Sequence, residues 1–149
     1  MDPYQQWSDT AADPAANTSG VNSRYAQELG TTVPTTHFVV DTSRNGKGPW
    51  NYKTAGYPDA GTAQDWCNPP GRGLGARPQA DPDAAFPLLD AYLWVKTPGQ
   101  SDGQCDRKGG TAGLNAPDPE WGGITDPAAG EWFPQQALQL AKLATPPLR

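Results

Sequence analysis

LDAYLWVKTPGQSDGQC, residues 89–105, joins an apolar run to a loop dense in polar side chains. Ala91 to Val95 is continuously apolar, bounded by Asp90 before it and Thr97-Pro98-Gly99 after it. That is the length and composition of a strand covered on both faces, as in a parallel sheet. Lys96, Gln100, Asp102 and Cys105 follow at its carboxyl end, the place where ligands meet sheets of parallel strands. His37 to Val40 (HFVV) repeats the design: a short buried strand that stops at Asp41-Thr42-Ser43-Arg44-Asn45-Gly46.

Working outward, Glu131 to Ala144 carries the clearest helical period. Phe133, Ala137, Leu140 and Ala144 fall on one face, Pro134 is tolerable in the first turn, and Pro146-Pro147 ends the element. A shorter helix is expected from Asn22 or Ser23 to Gly30, preceded by a loop in which Tyr4 and Trp7 can act as anchors. Residues 46–83 show neither helical nor strand period, yet hold Trp50, Tyr52, Tyr57 and Trp66. A loop of that length inside a compact domain points to function or disorder. The three alternate glycines of Pro70 to Gly75 (PGRGLG) permit close backbone approach, but with no strand before them and no Lys-Ser/Thr after them they do not form a phosphate cradle. Two strands and two helices cannot bury the faces of a parallel sheet. The sequence therefore reads as one end of a larger, loop-rich α/β domain.

Composition narrows the function. A formal charge of −5 over 149 residues excludes a nucleic-acid binder driven by phosphate contacts. Seventeen glycines and seventeen prolines approach a disordered composition, but six tryptophans and five tyrosines oppose it. No segment is apolar enough to cross a membrane, and MDPYQQW lacks the basic start and apolar run of a signal peptide. Cys67 and Cys105 have only His37 as an imidazole companion, too few ligands for zinc. A disulfide is the favoured reading and implies an oxidising compartment. Closing about 38 residues would stabilise the fold by roughly 3 to 4 kcal/mol in the chain-entropy picture. Absence of a signal peptide beside a disulfide is reconciled if the chain is a piece of a secreted protein.

FVVDTSRNGKGPW (38–50), DWCNPPGRGLGARP (65–78), DAYLWVKTPGQSDGQC (90–105) and GEWFPQQALQLA (130–141) occur in that order. Together they resemble the carboxyl-terminal part of the cellulases of glycoside hydrolase family 6, particularly the bacterial endoglucanase type. The likeness covers most of residues 37–149, while residues 1–36 match only loosely as a lead-in. It implies a distorted parallel β/α barrel, here in part, with a cleft across the carboxyl ends of its strands. It implies secretion, inverting hydrolysis of β-1,4-glucosidic bonds in cellulose and related β-glucans, no cofactor or metal, and a monomeric intact enzyme.

Carried over by residue, Asp102 matches the carboxylate proposed as catalytic base. Lys96 matches a lysine that hydrogen-bonds glucose hydroxyls, and Trp66 a sugar platform near the cleavage point. Cys67 and Cys105 match a family disulfide, and Asp41 with Arg44 a strand-end pair that supports the site. Gln100 stands where the family usually has Glu, keeping a hydrogen bond and losing a charge. The family's catalytic acid lies upstream of every segment matched here. Inversion needs two carboxyl groups about 6.5 to 9.5 Å apart, one protonated and one ionised, so the chain alone is expected to be inactive.

Plainer readings stand beside these. Asp102 is also a turn aspartate in Ser-Asp-Gly, Lys96 a solvated strand-end lysine, and Trp66 a lid on the disulfide. Asp41 and Arg44 are as well read as a structural ion pair. Trp94 and His37 are expected to be structural, and Trp50, Trp121 and Trp132 are undecided. A non-catalytic or vestigial glucan-binding protein is the alternative function. A purely structural disulfide-rich domain leaves the loop from Lys96 to Asp102 unexplained.

Overall fold

The computed structural model describes residues 30–148 apart from 33, 34, 49, 85, 86 and 114. The helix expected before Gly30, and the anchors Tyr4 and Trp7, lie outside them. In chain order the elements are β1 (Phe38–Asp41), a single helical turn α1 (Ala60–Ala63), β2 (Gln79–Ala80), β3 (Leu89–Leu93), a 3-10 turn (Pro119–Trp121) and α2 (Pro134–Lys142).

β1 and β3 pair in parallel, Val40 opposite Tyr92 and Asp41 opposite Leu93. This is the pairing that two apolar runs with polar carboxyl ends lead one to expect. The third strand is a correction. Gln79–Ala80 lies antiparallel to β3, giving a mixed sheet in the order β1-β3-β2. Two residues are too few to leave a period-two signature in the sequence. α1 is equally short, and exists because Asp59 accepts the Thr62 amide at 2.7 Å as its N-cap.

β3 starts two residues earlier than its apolar run and ends at Leu93, and among the described residues it is not covered on both faces. Val39, Leu93 and Val95 share one face by strand alternation and are 48%, 38% and 65% exposed. The described elements cover the other side: Trp94 packs on the small cluster of Leu74, Leu140 and Ala144 and donates its indole N–H to the Ala76 carbonyl at 2.9 Å. The core role expected of Trp94 is thus observed.

α2 begins three residues later than its apolar period. Phe133 is the N-cap and Pro134 occupies the first turn, where its missing N–H costs nothing. Phe133, Leu140 and Ala144 are buried as the period requires, while Ala137 is partly buried. Gln136 is buried with them, a polar member that hydrophobic counting passes over. Residues 72–75 thread between the loop after β1 and α2: Lys47 N donates to Arg72 O, Gly75 N to Thr42 O, and Leu74 N to Leu140 O, at 2.8 to 3.0 Å. A Cβ on Gly73, at φ +69°, would run into the Leu143 carbonyl, so the glycine-rich run serves close backbone approach as expected.

Candidate active site

Around these few elements the interior is mostly polar. Thr42, Ser43, Arg44, Asn45, Asn68, Arg72, Ser101, Asp106, Arg107, Asp118, Asp126 and Gln136 are all buried. Buried polar groups persist only when hydrogen-bonded, and following the bonds leads to Asp102.

The strand end is built by Asp41. Its Oδ1 accepts the amides of Ser43 and Val95 and its Oδ2 that of Lys96, at 2.9 to 3.3 Å. One carboxylate thereby ties the end of β1 to the end of β3 and aims Lys96. Arg44, next along the same loop, grips Asp102 with both guanidinium nitrogens, at 2.7 and 3.1 Å. Asp41 and Arg44 both support the strand-end loop, by different routes: backbone amides for one, the Asp102 carboxylate for the other.

Asp102 is enclosed by donors. Besides Arg44, Lys96 Nζ stands 3.1 Å from Oδ1, and the Asn68 amide donates to Oδ2 at 2.9 Å. Four donor nitrogens from three residues, on a carboxylate with about four lone-pair positions, fix its orientation. The Asp102 side chain is 13% exposed and Arg44 6%, whereas Lys96 is 25% exposed. Lys96 is the least enclosed of the two cations.

Asn68 is the residue that sequence reasoning missed. It is wholly buried at φ +39°, next to the disulfide that joins Cys67 and Cys105. Its side-chain oxygen accepts the Asp102 amide at 2.8 Å and Gln136 Nε2 at 3.2 Å. Its Nδ2 lies 2.8 Å from the Gly103 carbonyl and 2.9 Å from Asp126 Oδ2. Its own carbonyl accepts Arg107 Nη2 and Trp121 Nε1. Asparagine tolerates the left-handed region and offers both donor and acceptor; the Cys-Asn-Pro-Pro context is the one local hint.

Behind Asn68 lies a second charged group. Arg107 is fully buried, stacks over Trp50 at 5.1 Å, and binds Asp118 through Nε at 3.1 Å. Asp126 is 1% exposed and its carboxyl is in hydrogen-bond contact with Asp118. Burial pushes the Asp126 carboxyl up to about 7; the Asn68 amide opposes this and the neighbouring Asp118 charge adds to it. Asp126 Oδ1 has no donor among the described residues, and a proton held between the two acids satisfies it. Cys105 Sγ comes within 4.8 Å of both carboxylates, but it is bonded to Cys67 and offers no thiolate. Asp106 differs: burial raises its pKa, yet the amides of Ala112, Lys108 and Gly110 outweigh that and hold it below the usual carboxylate range.

The aromatic side chains separate clearly. Trp50 and Trp121 are structural, the first under Arg107 with Tyr57 at its edge, the second against Phe133 at 4.8 Å. Trp66 and Trp132 are open, 53% and 60% exposed. Gln100, which bridges to Trp132, turns its amide to the Gly130 carbonyl at 3.1 Å. His37 bridges the start of β1 to Asp90 of β3 at 2.6 Å, as a structural residue would. The disulfide, the strand-end carboxylate and the cations are therefore joined, and an exposed indole lies two residues from Asn68.

Residues 2–144 match the family described as Glycosyl hydrolases family 6. The chain is similar to endoglucanase A of Cellulomonas fimi, 38% identical over 127 residues, which is 85% of this chain and 21% of that protein. It is also similar to 1,4-beta-D-glucan cellobiohydrolase C of Emericella nidulans, 37% identical over 115 residues, 74% of this chain and 22% of that protein. Among solved structures it resembles cellobiohydrolase II from Humicola insolens in complex with glucose and cellotetraose. That likeness has a TM-score of 0.62 at 29% identity and covers 97% of this chain and 39% of the other. The chain thus spans about one fifth of the length of these two curated relatives.

Proposed function

Because the chain belongs to glycosyl hydrolases family 6, we propose that it forms the base-side part of a β-1,4-glucan-hydrolysing cleft. The observation that carries this reading is the fixed Asp102 carboxylate, held by Arg44, Lys96 and the Asn68 amide at the carboxyl ends of two parallel strands. In the complete site a protonated acid from outside the matched segments protonates the glycosidic oxygen. Asp102 takes a proton from the attacking water, directly or through a second water, on the opposite side of the sugar, and the anomeric configuration inverts.

The crowding of Asp102 assigns Lys96 a working role. With four donor nitrogens around it, the carboxylate gains a free lone pair when one of them leaves. Lys96 is the more exposed cation, and a glucose hydroxyl gives its ammonium a new partner. Sugar binding then uncovers the base as it fills the cleft. Trp66 offers an open indole face to the apolar C–H face of a pyranose ring, and Gln100 a neutral amide. The barrel of the whole domain, secretion and a monomeric state belong to the same proposal; the Cys67–Cys105 bond supports an oxidising, extracellular setting. Similarity to endoglucanase A of Cellulomonas fimi supports cutting within chains over cutting from their ends.

By itself the chain supplies Asp102 without the partner acid, and we expect no turnover. Reducing-sugar release from a soluble β-1,4-glucan, with Asp102→Asn as control, tests this. None from either protein agrees with the reading; release that disappears in the variant would mean that a second working carboxyl lies within these residues.

A further inference from the structure

Trp132 has no place in the site carried over from the family likeness, and its surroundings are unusual for a structural tryptophan. It is 60% exposed, more open than Trp66 at 53%, on a backbone that is firmly tied. Gln100 and Trp132 form an antiparallel bridge. On either side of it, Ser101 N donates to Glu131 O at 2.8 Å and Phe133 N to Gly99 O at 2.7 Å. The segment that carries Trp132 is thereby clamped to the loop that carries Gln100 and Asp102.

The indole is also backed. A Cβ on Gly99 would stand 2.6 Å from Trp132 Cζ3 and 2.7 Å from the Ala137 Cβ. Gly99, at φ +85°, is thus the residue that lets the benzo edge of the ring settle between the loop and α2 while the rest stays in water. An apolar side chain left open yet held in one orientation loses little entropy when something stacks on it. Gln100, bridged to Trp132, carries a neutral amide suited to hydroxyls.

We propose that Trp132 is a second sugar platform, stacking on a pyranose ring of the same β-1,4-glucan chain that lies over Trp66 and Asp102. This inference rests on the glucan-hydrolase reading above. A flat indole and the C–H face of a β-linked glucose ring are complementary. The bridge to Gln100 ties the platform to the loop that bears the base, so a glucan held there is in register with Asp102.

Affinity electrophoresis of the chain through gels containing hydroxyethylcellulose tests it, with Trp132→Ala, Trp132→Tyr and Trp66→Ala run beside the wild type. Circular-dichroism melts of each protein accompany the gels. The wild type is expected to be retarded by the glucan, and Trp132→Ala to bind about fivefold more weakly. Trp132→Tyr keeps most of the retardation, and its melt and that of Trp132→Ala stay at the wild-type temperature. Wild-type retardation in Trp132→Ala beside a loss in Trp66→Ala overturns this inference and leaves the parent reading standing. Loss in both Trp132 variants with a lowered melting temperature marks a structural tryptophan and also overturns it. A wild type that the glucan does not retard overturns both readings.

Discussion

Replacing Asp126 with Asn removes a proton that the folded chain holds and the unfolded chain releases. The Asp126 carboxyl moves from 3.8 when free to about 7 when folded, chiefly through burial. Below about pH 4 both states carry the proton, and the stabilising contribution is fully present. From there to about pH 7 the unfolded chain ionises first, so the folded state binds more protons and stability falls as pH rises. At about 1.4 kcal/mol per unit, some three units amount to roughly 4 kcal/mol. For a chain of this size that corresponds to a melting temperature lower by about 10 °C at pH 8 than at pH 4.5. Asparagine is isosteric and neutral. Its oxygen still accepts from Asn68 Nδ2, and its amide donates to Asp118. Thermal melts by circular dichroism from pH 4.5 to 8.5 are expected to show Asp126→Asn losing most of that slope and melting above wild type at pH 8. Parallel wild-type and variant profiles would refute the buried, shared proton.

Two other perturbations follow from the same network. Asn68→Ala strips the Asp102 amide, Gln136 and Asp126 of a partner at once, and urea unfolding should show a loss of about 3 kcal/mol or more. Reducing the Cys67–Cys105 bond, or replacing both cysteines with serine, should cost about 4 kcal/mol for a 38-residue separation, seen as a lower urea midpoint with an altered slope.

What could be read from the sequence was local. Lys96, Gln100 and Asp102 sit within one short loop, and an apolar run followed by Pro-Gly announces both the strand and its end. The parallel pairing of residues 38–41 with 89–93 follows from two such runs. The partners of Asp102 are another matter. Arg44 is 58 residues away and Asn68 is 34, and nothing in either segment says that they converge. Asn68 looks like a loop residue because asparagine usually is one; its φ of +39° and its polar contacts with Asp102, Gly103, Asp126, Arg107, Trp121 and Gln136 are properties of the assembled fold. The same holds for Gln136, which breaks the apolar face of α2 in order to reach Asn68. Covering both faces of β3 failed as an expectation because apolar composition reports a need for cover, not the presence of a covering element. Val39, Leu93 and Val95 keep that need in view.

The central claim is that these residues form a glucan cleft around Asp102, and calorimetric titration with a soluble cello-oligosaccharide tests it most directly. Cellohexaose should bind the chain, maltohexaose of the same length should not, and both Trp66→Ala and Lys96→Ala should weaken the cellohexaose isotherm. Equal binding of the two sugars, or no binding of either, would contradict the account.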